Sequence, residues 1–320
     1  MIRRACLVAG CFAACAAVAG EPRIVGYVQD RGDLRALSES IPFSLLTHLN
    51  VAFVNPTDDT GALSVPAGID ALVTAAHRHG VKVLASLGGG AASGDSALRA
   101  RYARLLAKEG RADFAAGIAD FVERHGLDGL DIDLEGDAID ATYGPFVLEL
   151  APRLRRSHRL LTAALSHTFG GDRVPAEALR EFDFVNVMAY DLTGPWRPDE
   201  PGPHAPEQFA RKCVAAWLDR GLPREKVVLG VPFYGHGFSR DFARGGIAYR
   251  EILRRHPEAA RSDRVGDVIW HNGIPTIRAK CRFAAESRLG GIMIWSLDHD
   301  AAGDMALLPV IHATLRPDTP

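Results

Sequence analysis

The chain has 320 residues, 47% of them hydrophobic, and a formal net charge of −2. That length suits one large α/β domain or two small ones, with apolar content for a sizeable core. The near-balanced charge and the lack of a basic run argue against a nucleic-acid partner. Past the first twenty residues no apolar run is long enough to span a membrane.

Residues 1–19 read as a secretory leader. Arg3 and Arg4 form its charged start, Ala5 to Ala16 its apolar core, and Ala17-Val18-Ala19 a small-residue cleavage site. Export would leave residues 20–320 as a secreted or periplasmic protein. Lipoprotein processing at Cys11 or Cys15 is the alternative. Beyond the leader only Cys213 and Cys281 remain, both in helical patterns. Two buried thiols are expected there rather than a disulfide, although the compartment permits one. No CxxC and no clustered Cys/His spacing occurs, so neither a metal nor a cofactor is expected. The histidines are scattered, and His125, His167 and His236 read as surface or loop residues. A monomer is the expected state.

In chain order, Arg23 to Gln29 is a β-branched strand, followed by helical residues around Leu34 to Ser40. Leu46 to Val54 is the second strand, closed by Asn55-Pro56. Pro66 to Arg78 has apolar residues at helical spacing, with Gly80 as its cap. Val81 to Leu87 is the third strand and runs into Gly88-Gly89-Gly90. Helices are predicted over Ala97 to Glu109 and Ala112 to His125. A fourth, acidic strand follows, then a helix from Tyr143 to Ser157, broken or restarted at Pro152. Leu160 to Ser166 is the fifth strand, Pro175 to Arg180 a helical turn, and Phe182 to Tyr190 the sixth strand. A helix over Pro206 to Arg220 leads to the seventh strand, Lys226 to Pro232. Ile292 to Leu297 is the eighth, and Asp304 to Thr314 the last helix. Eight strands alternating with helices over roughly 290 residues indicate a single parallel (β/α)8 barrel. An open doubly wound sheet would need a Gly-rich turn after the first strand, and Tyr27-Val28-Gln29-Asp30 is not one. Between strands seven and eight, helical patterns at Tyr249 to Arg255 and Thr276 to Arg288 flank Asp267 to Ile277. There Asn272-Gly273 signals a small hairpin insertion.

The acidic strand lies within Gly126-Leu-Asp-Gly-Leu-Asp-Ile-Asp-Leu-Glu-Gly136. Side chains on a strand alternate faces, so Leu130, Ile132 and Leu134 point one way and Asp131, Asp133 and Glu135 the other. Helical patterns on both sides make the strand parallel and covered, with its acidic face turned into the protein. Same-face carboxylates sit about 6–7 Å apart. At that spacing two charges repel by roughly 2–3 kcal/mol at an effective dielectric of about 20. Their titrations are therefore coupled, and at least one keeps its proton at neutral pH. A carboxyl protonated at pH 7 can donate to a leaving group, and Glu135 at the strand's outer end is the candidate donor. A solvated edge strand or a cation site is the competing reading.

Asp128-Gly-Leu-Asp131-Ile-Asp133-Leu-Glu135 resembles the D-G-x-D-x-D-x-E signature of glycoside hydrolase family 18, the chitinase family. Ser86-Leu-Gly88-Gly89 resembles the family's S-x-G-G. Met188-Ala-Tyr190-Asp191, with Gly194 and Trp196, resembles its M-x-Y-D. Gly230-Val-Pro-Phe-Tyr234-Gly235 resembles G-x-P-x-Y-G. The resemblance implies catalysis by substrate-assisted retention on an N-acetylglucosamine-containing glycan. Glu135 would protonate the glycosidic oxygen and then activate water. Asp133 would hold the acetamido N–H, with Asp131 sharing its proton balance. Tyr190 would hold the acetamido carbonyl, with Asp191 assisting. Trp295 would be the floor under the sugar, its indole face matching the apolar face of a pyranose. Met188, Tyr27, Phe53, Ser86 and Gly89 are further candidates for the substrate pocket, Ser86 also for a hydrogen bond to Asp131. One departure stands out. The loop Gly90-Ala-Ala-Ser93 has no aromatic where larger members carry one, so grip on that side is reduced. The insertion is also too short for the α+β domain of larger members, so a more open groove is expected.

The same acids would serve an endo-β-N-acetylglucosaminidase or a peptidoglycan hydrolase, which differ in their loops. A non-catalytic chitin-binding lectin is the remaining alternative, and it would ordinarily lack Glu135.

Overall fold

The structure, a computed structural model, describes residues 21–238 and 246–317; the leader reading falls outside these residues. The first strands are β1 (Arg23–Gln29), β2 (His48–Ala52), β3 (Lys82–Gly88) and β4 (Gly129–Asp133). They are followed by β5 (Leu160–Leu165), β6 (Phe184–Val187) and β7 (Val227–Pro232). Next come the short strands β8 (Tyr234–Gly237), β9 (Ile247–Ala248), β10 (Arg264–Val265) and β11 (Ile269–Trp270), and finally β12 (Gly291–Trp295). The strands β1 to β7 and β12 close into a barrel in the order β1-β12-β7-β6-β5-β4-β3-β2. Neighbours all run parallel, so the (β/α)8 expectation holds.

Burial on both faces is why these strands read as near-continuous apolar runs. Outward residues pack under the helices in one large core that includes Leu72, Phe146, Trp217 and Ile311. Inward residues form a second cluster inside the barrel, with Val25, Tyr27, Phe184, Met188, Val228 and Met293. Helices Ile69–Arg78, Ser96–Leu106, Arg111–Arg124, Glu207–Asp219 and Leu307–Leu315 lie within a few residues of their predicted spans. Asp95 caps one of them, accepting from the backbone N–H groups of Ala97 and Leu98. Asp300 accepts from the N–H groups of Leu307 and Leu308 at the start of the last.

Pro152 does not break its helix, which runs unbroken over Tyr143–Arg156. The proline removes one hydrogen bond, but Phe146, Val147, Leu150, Ala151 and Leu154 are all buried along the same element. Their burial outweighs the loss. The insertion also differs from expectation. It is a four-stranded antiparallel sheet in the order β10-β11-β8-β9, and its hairpin turns at residues 266–268 between β10 and β11. Asn272-Gly273 is instead the entry to the helix Ile274–Glu286, with Gly273 at the N-cap. A Cβ on Gly273 would collide with the backbone carbonyl of Ser262, so close approach explains the glycine there.

Cys213 and Cys281 are buried and unpaired, their thiols pushed up to about 12 by burial. Lys280, next to Cys281 in the chain, is fully buried, and its Nζ donates to Asn272 Oδ1 at 2.6 Å. Among the described residues no helix is long and apolar enough to cross a membrane.

Candidate active site

Register sets the centre of the site. Asp131 on β4 lies level with Ser86 on β3 and Thr162 on β5, so all three side chains enter the barrel at one depth. Ser86 Oγ donates to Asp131 Oδ2 at 2.8 Å and Thr162 Oγ1 to Oδ1 at 2.6 Å. From across the barrel the Tyr27 hydroxyl donates to Oδ2 at 2.6 Å, and Asn186 Nδ2 to Oδ1 at 3.2 Å. Asn186 Nδ2 also donates to the Tyr27 oxygen at 3.0 Å, which directs the Tyr27 proton at Asp131. Burial is the larger influence and leaves the Asp131 carboxyl above its ordinary range, while these four hydrogen bonds oppose that rise. With a donor facing every acceptor position, we assign the anion to Asp131.

Asp133, one step nearer the mouth, is buried and has Oδ1 without a partner among the described residues. Burial, then the charges of Glu135 and Asp131, hold its carboxyl well above the ordinary range. Glu135 lies two residues past the end of β4 yet stays extended, with φ −130° and ψ 161°. The alternation therefore continues, and Glu135 follows Asp131 and Asp133 on the inward face. Its carboxyl is raised to about 7, first by burial and then by the nearby charge of Asp191. The backbone around Glu135 is clamped. Ser93 Oγ donates to the Glu135 carbonyl at 2.8 Å, and Arg173 Nη2 to the Gly136 carbonyl at 2.6 Å. Ser93 comes from the loop that lacks an aromatic, now seen as the short helix Gly90–Gly94.

Glu135, Met188, Tyr190 and Asp191 line one cleft of about 560 Å³, with Phe169 and Trp196 on its rim. These two rings are 49% and 56% exposed, unusual for large apolar groups and suited to stacking on a sugar. Trp295 packs beside Phe53, ring centroids 5.6 Å apart at 26°, and over Tyr27 at 5.5 Å. Gly89, with φ +71°, lies against Phe53, and a Cβ there would run into that ring.

One pocket candidate is placed differently from the sequence reading: Tyr27 has no exposed surface, and its hydroxyl meets Asp131 and Asn186 instead of the cleft. Ser86, equally without exposed surface, makes the expected hydrogen bond to Asp131. His236 is likewise no surface residue; it is 3% exposed and its Nε2 lies 2.9 Å from Asp191 Oδ1. Thr162, Asn186, Phe169 and His204 escaped the sequence analysis. Thr162 and Asn186 carry a signal in hindsight, single polar residues within otherwise apolar strands. Asp191, His204 and His236 bring three candidate metal-ligand atoms within 4.8 Å of one another.

A parallel eight-stranded barrel with a stack of acids at its centre and an aromatic-rimmed cleft reached by Glu135 is a sugar-hydrolase type of architecture. The family model for glycosyl hydrolases family 18 matches residues 23–300, and the chain belongs to that family. It is 39% identical to the GH18 chitinase ChiB from the chitin utilization locus of Flavobacterium johnsoniae. That match has a TM-score of 0.86 and covers 93% of this chain and 94% of the other. A chitinase from Bacteroides thetaiotaomicron superposes with a TM-score of 0.80 at 28% identity, covering 93% of this chain and 97% of that one. A chitinase-like effector of Moniliophthora perniciosa is 34% identical over 68% of this chain and 56% of its own length. The chain thus spans little more than half the length of that relative.

Proposed function

We propose that the protein is an exported glycoside hydrolase that cleaves β-1,4-linked N-acetylglucosamine polymers or oligomers with retention. The observation that carries this reading is the acid ladder, in which Glu135 at the mouth titrates at about 7 above a buried Asp133 and a four-donor Asp131. Glu135 protonates the glycosidic oxygen, then removes a proton from the incoming water. Asp133 takes the acetamido N–H, and Tyr190 holds the acetamido carbonyl oxygen toward the anomeric carbon. The carbonyl oxygen forms the new bond to that carbon as the glycosidic bond breaks, and water later reverses the closure.

Among the described residues lining the cleft, Asp191 is the one carboxylate besides Glu135. One of its oxygens already takes hydrogen bonds from Tyr234 and His236, at 2.5 and 2.9 Å, which blunts it as a nucleophile. That supports attack by the substrate's own acetamido group. The presence of Glu135 favours an enzyme over a lectin. The likeness to the Flavobacterium johnsoniae chitinase supports chitin-type substrates, and an endo-β-N-acetylglucosaminidase or peptidoglycan hydrolase is the second reading on the same acids. Product analysis on N-acetylglucosamine oligomers of defined length, run beside a glycoprotein and cell-wall material, tests it. Release of β-anomeric shorter oligomers from chitin oligomers is expected. Turnover of only the glycoprotein or cell wall would replace the substrate.

A further inference from the structure

Asp191 is held by three rings, all on one oxygen. The Tyr234 hydroxyl donates to Oδ1 at 2.5 Å, His236 Nε2 lies 2.9 Å from it, and His204 Nδ1 lies 3.4 Å from it. Among the described residues no hydrogen bond falls on Oδ2. The Asp191 side chain is 44% exposed in the cleft, and its backbone has φ +60°, a conformation that non-glycine residues adopt only when their surroundings hold them there.

Both histidines stand on fixed backbone. His236 belongs to β8, where it pairs with Trp270. The His204 carbonyl accepts from the Leu192 N–H at 2.9 Å, which ties the loop carrying it to the residue after Asp191. The two rings pack against each other with centroids 4.8 Å apart, and each also packs on Tyr234. A carboxylate accepts only, so the proton of each neutral ring lies on the near nitrogen: Nδ1 of His204 and Nε2 of His236. The far nitrogens, His204 Nε2 and His236 Nδ1, are buried without a partner among the described residues. Neither far nitrogen has a carboxylate or carbonyl of the described residues to hold a second N–H. Metal-bound histidines anchor that far nitrogen on a carboxylate, carbonyl or water. This trio therefore fits hydrogen bonding better than an ion.

We propose that His204 and His236 are positioning residues that lock Oδ1 of Asp191 and so present Oδ2 to the sugar in the cleft. Their contribution is to substrate grip, and they take no part in the proton transfers at Glu135. That Oδ2 meets a sugar rests on the function proposed above; the cage around Oδ1 does not.

The test uses the full chain and the tetramer of N-acetylglucosamine. His204→Leu and His236→Leu remove the donors, whereas His204→Asn keeps a donor near Nδ1 and His236→Gln keeps one near Nε2. Loss of a donor to a charged group should raise KM about tenfold in each Leu variant, with kcat little changed. Asn and Gln should restore most of the loss. Leu variants with wild-type KM, or rescue variants as impaired as the Leu variants, overturn the proposal. Imidazole 15N spectra of the unliganded wild type read the tautomers without substrate and without any variant having to fold. Protons on Nδ1 of His204 and Nε2 of His236 are expected, and the reverse assignment overturns the cage. Calorimetry with zinc alone adds a check: stoichiometric uptake lost in His204→Leu would make the trio a metal site instead. If wild type neither binds nor cleaves the tetramer, the proposed function fails, while the tautomers still decide the cage.

Discussion

The Tyr27 hydroxyl lies 2.6 Å from Asp131 Oδ2, deep in the barrel and out of reach of any substrate. Because Asn186 donates to the same hydroxyl, Tyr27 has its proton committed to Asp131. Tyr27→Phe removes one of four donors from a buried carboxylate. Hydrogen bonds to charged groups are worth about 1.5–3 kcal/mol, so urea unfolding should show a loss of that order. If Asp131 must be anionic during turnover, kcat should also fall about tenfold, since 1.4 kcal/mol corresponds to that factor.

Glu135→Gln keeps the shape of the side chain and removes the transferable proton. General acid–base catalysis contributes about 10²–10⁴ in rate, so kcat should drop by that much while the oligomer still binds. Paired kinetics and calorimetry decide it, and near-normal turnover would take the donor role away from Glu135.

The pH profile carries a second signature of the same residue. Glu135 acts first as an acid and must hold its proton, so kcat/KM should fall tenfold per unit once the pH passes about 7. Burial is the larger cause of the raised carboxyl and the Asp191 charge the next. Asp191→Asn removes that charge, so the alkaline limb should move to lower pH. A limb that stays in place would show that Asp191 does not act on Glu135.

A substrate without N-acetyl groups has no internal nucleophile. Fully deacetylated chitosan should therefore resist cleavage under conditions where acetylated oligomers are consumed. Reducing-end assays on the two polymers make the comparison, and efficient chitosan turnover would exclude the acetamido pathway.

Lys280 gives a test of stability that is independent of the cleft. Burial lowers its ammonium to about 7, and among the described residues its one side-chain hydrogen bond is to the neutral Asn272. Between pH 7 and about 10.4 the unfolded chain binds the proton and the folded chain does not. Stability should rise with pH across that window by about 1.4 kcal/mol per unit from this group, and level off below about pH 7, where both states hold the proton. In Lys280→Met this slope should vanish. Chemical denaturation at pH 7, 8 and 9 reads the difference.

The barrel was legible because eight apolar runs of strand length alternate with helical patterns, and period-two alternation made the acid ladder visible without coordinates. The level of Ser86 with Asp131 was legible as well, since both sit near strand ends with matched motifs. Elsewhere local signals misled. Asn272-Gly273 has the chemistry of a hairpin turn, but its glycine serves a close approach to Ser262 at the start of a helix. Pro152 has the chemistry of a helix breaker, yet it stays in place because the rest of its helix is buried.

The sequence by itself determined the barrel's strand count, the inward acids and the family likeness, because each is written in spacings of a few residues along one element. Only the tertiary structure decided which donors surround Asp131, that His204 and His236 meet at Asp191, and that Tyr27 is buried against Asp131. Those relations depend on barrel closure and strand register, which bring together side chains far apart along the chain.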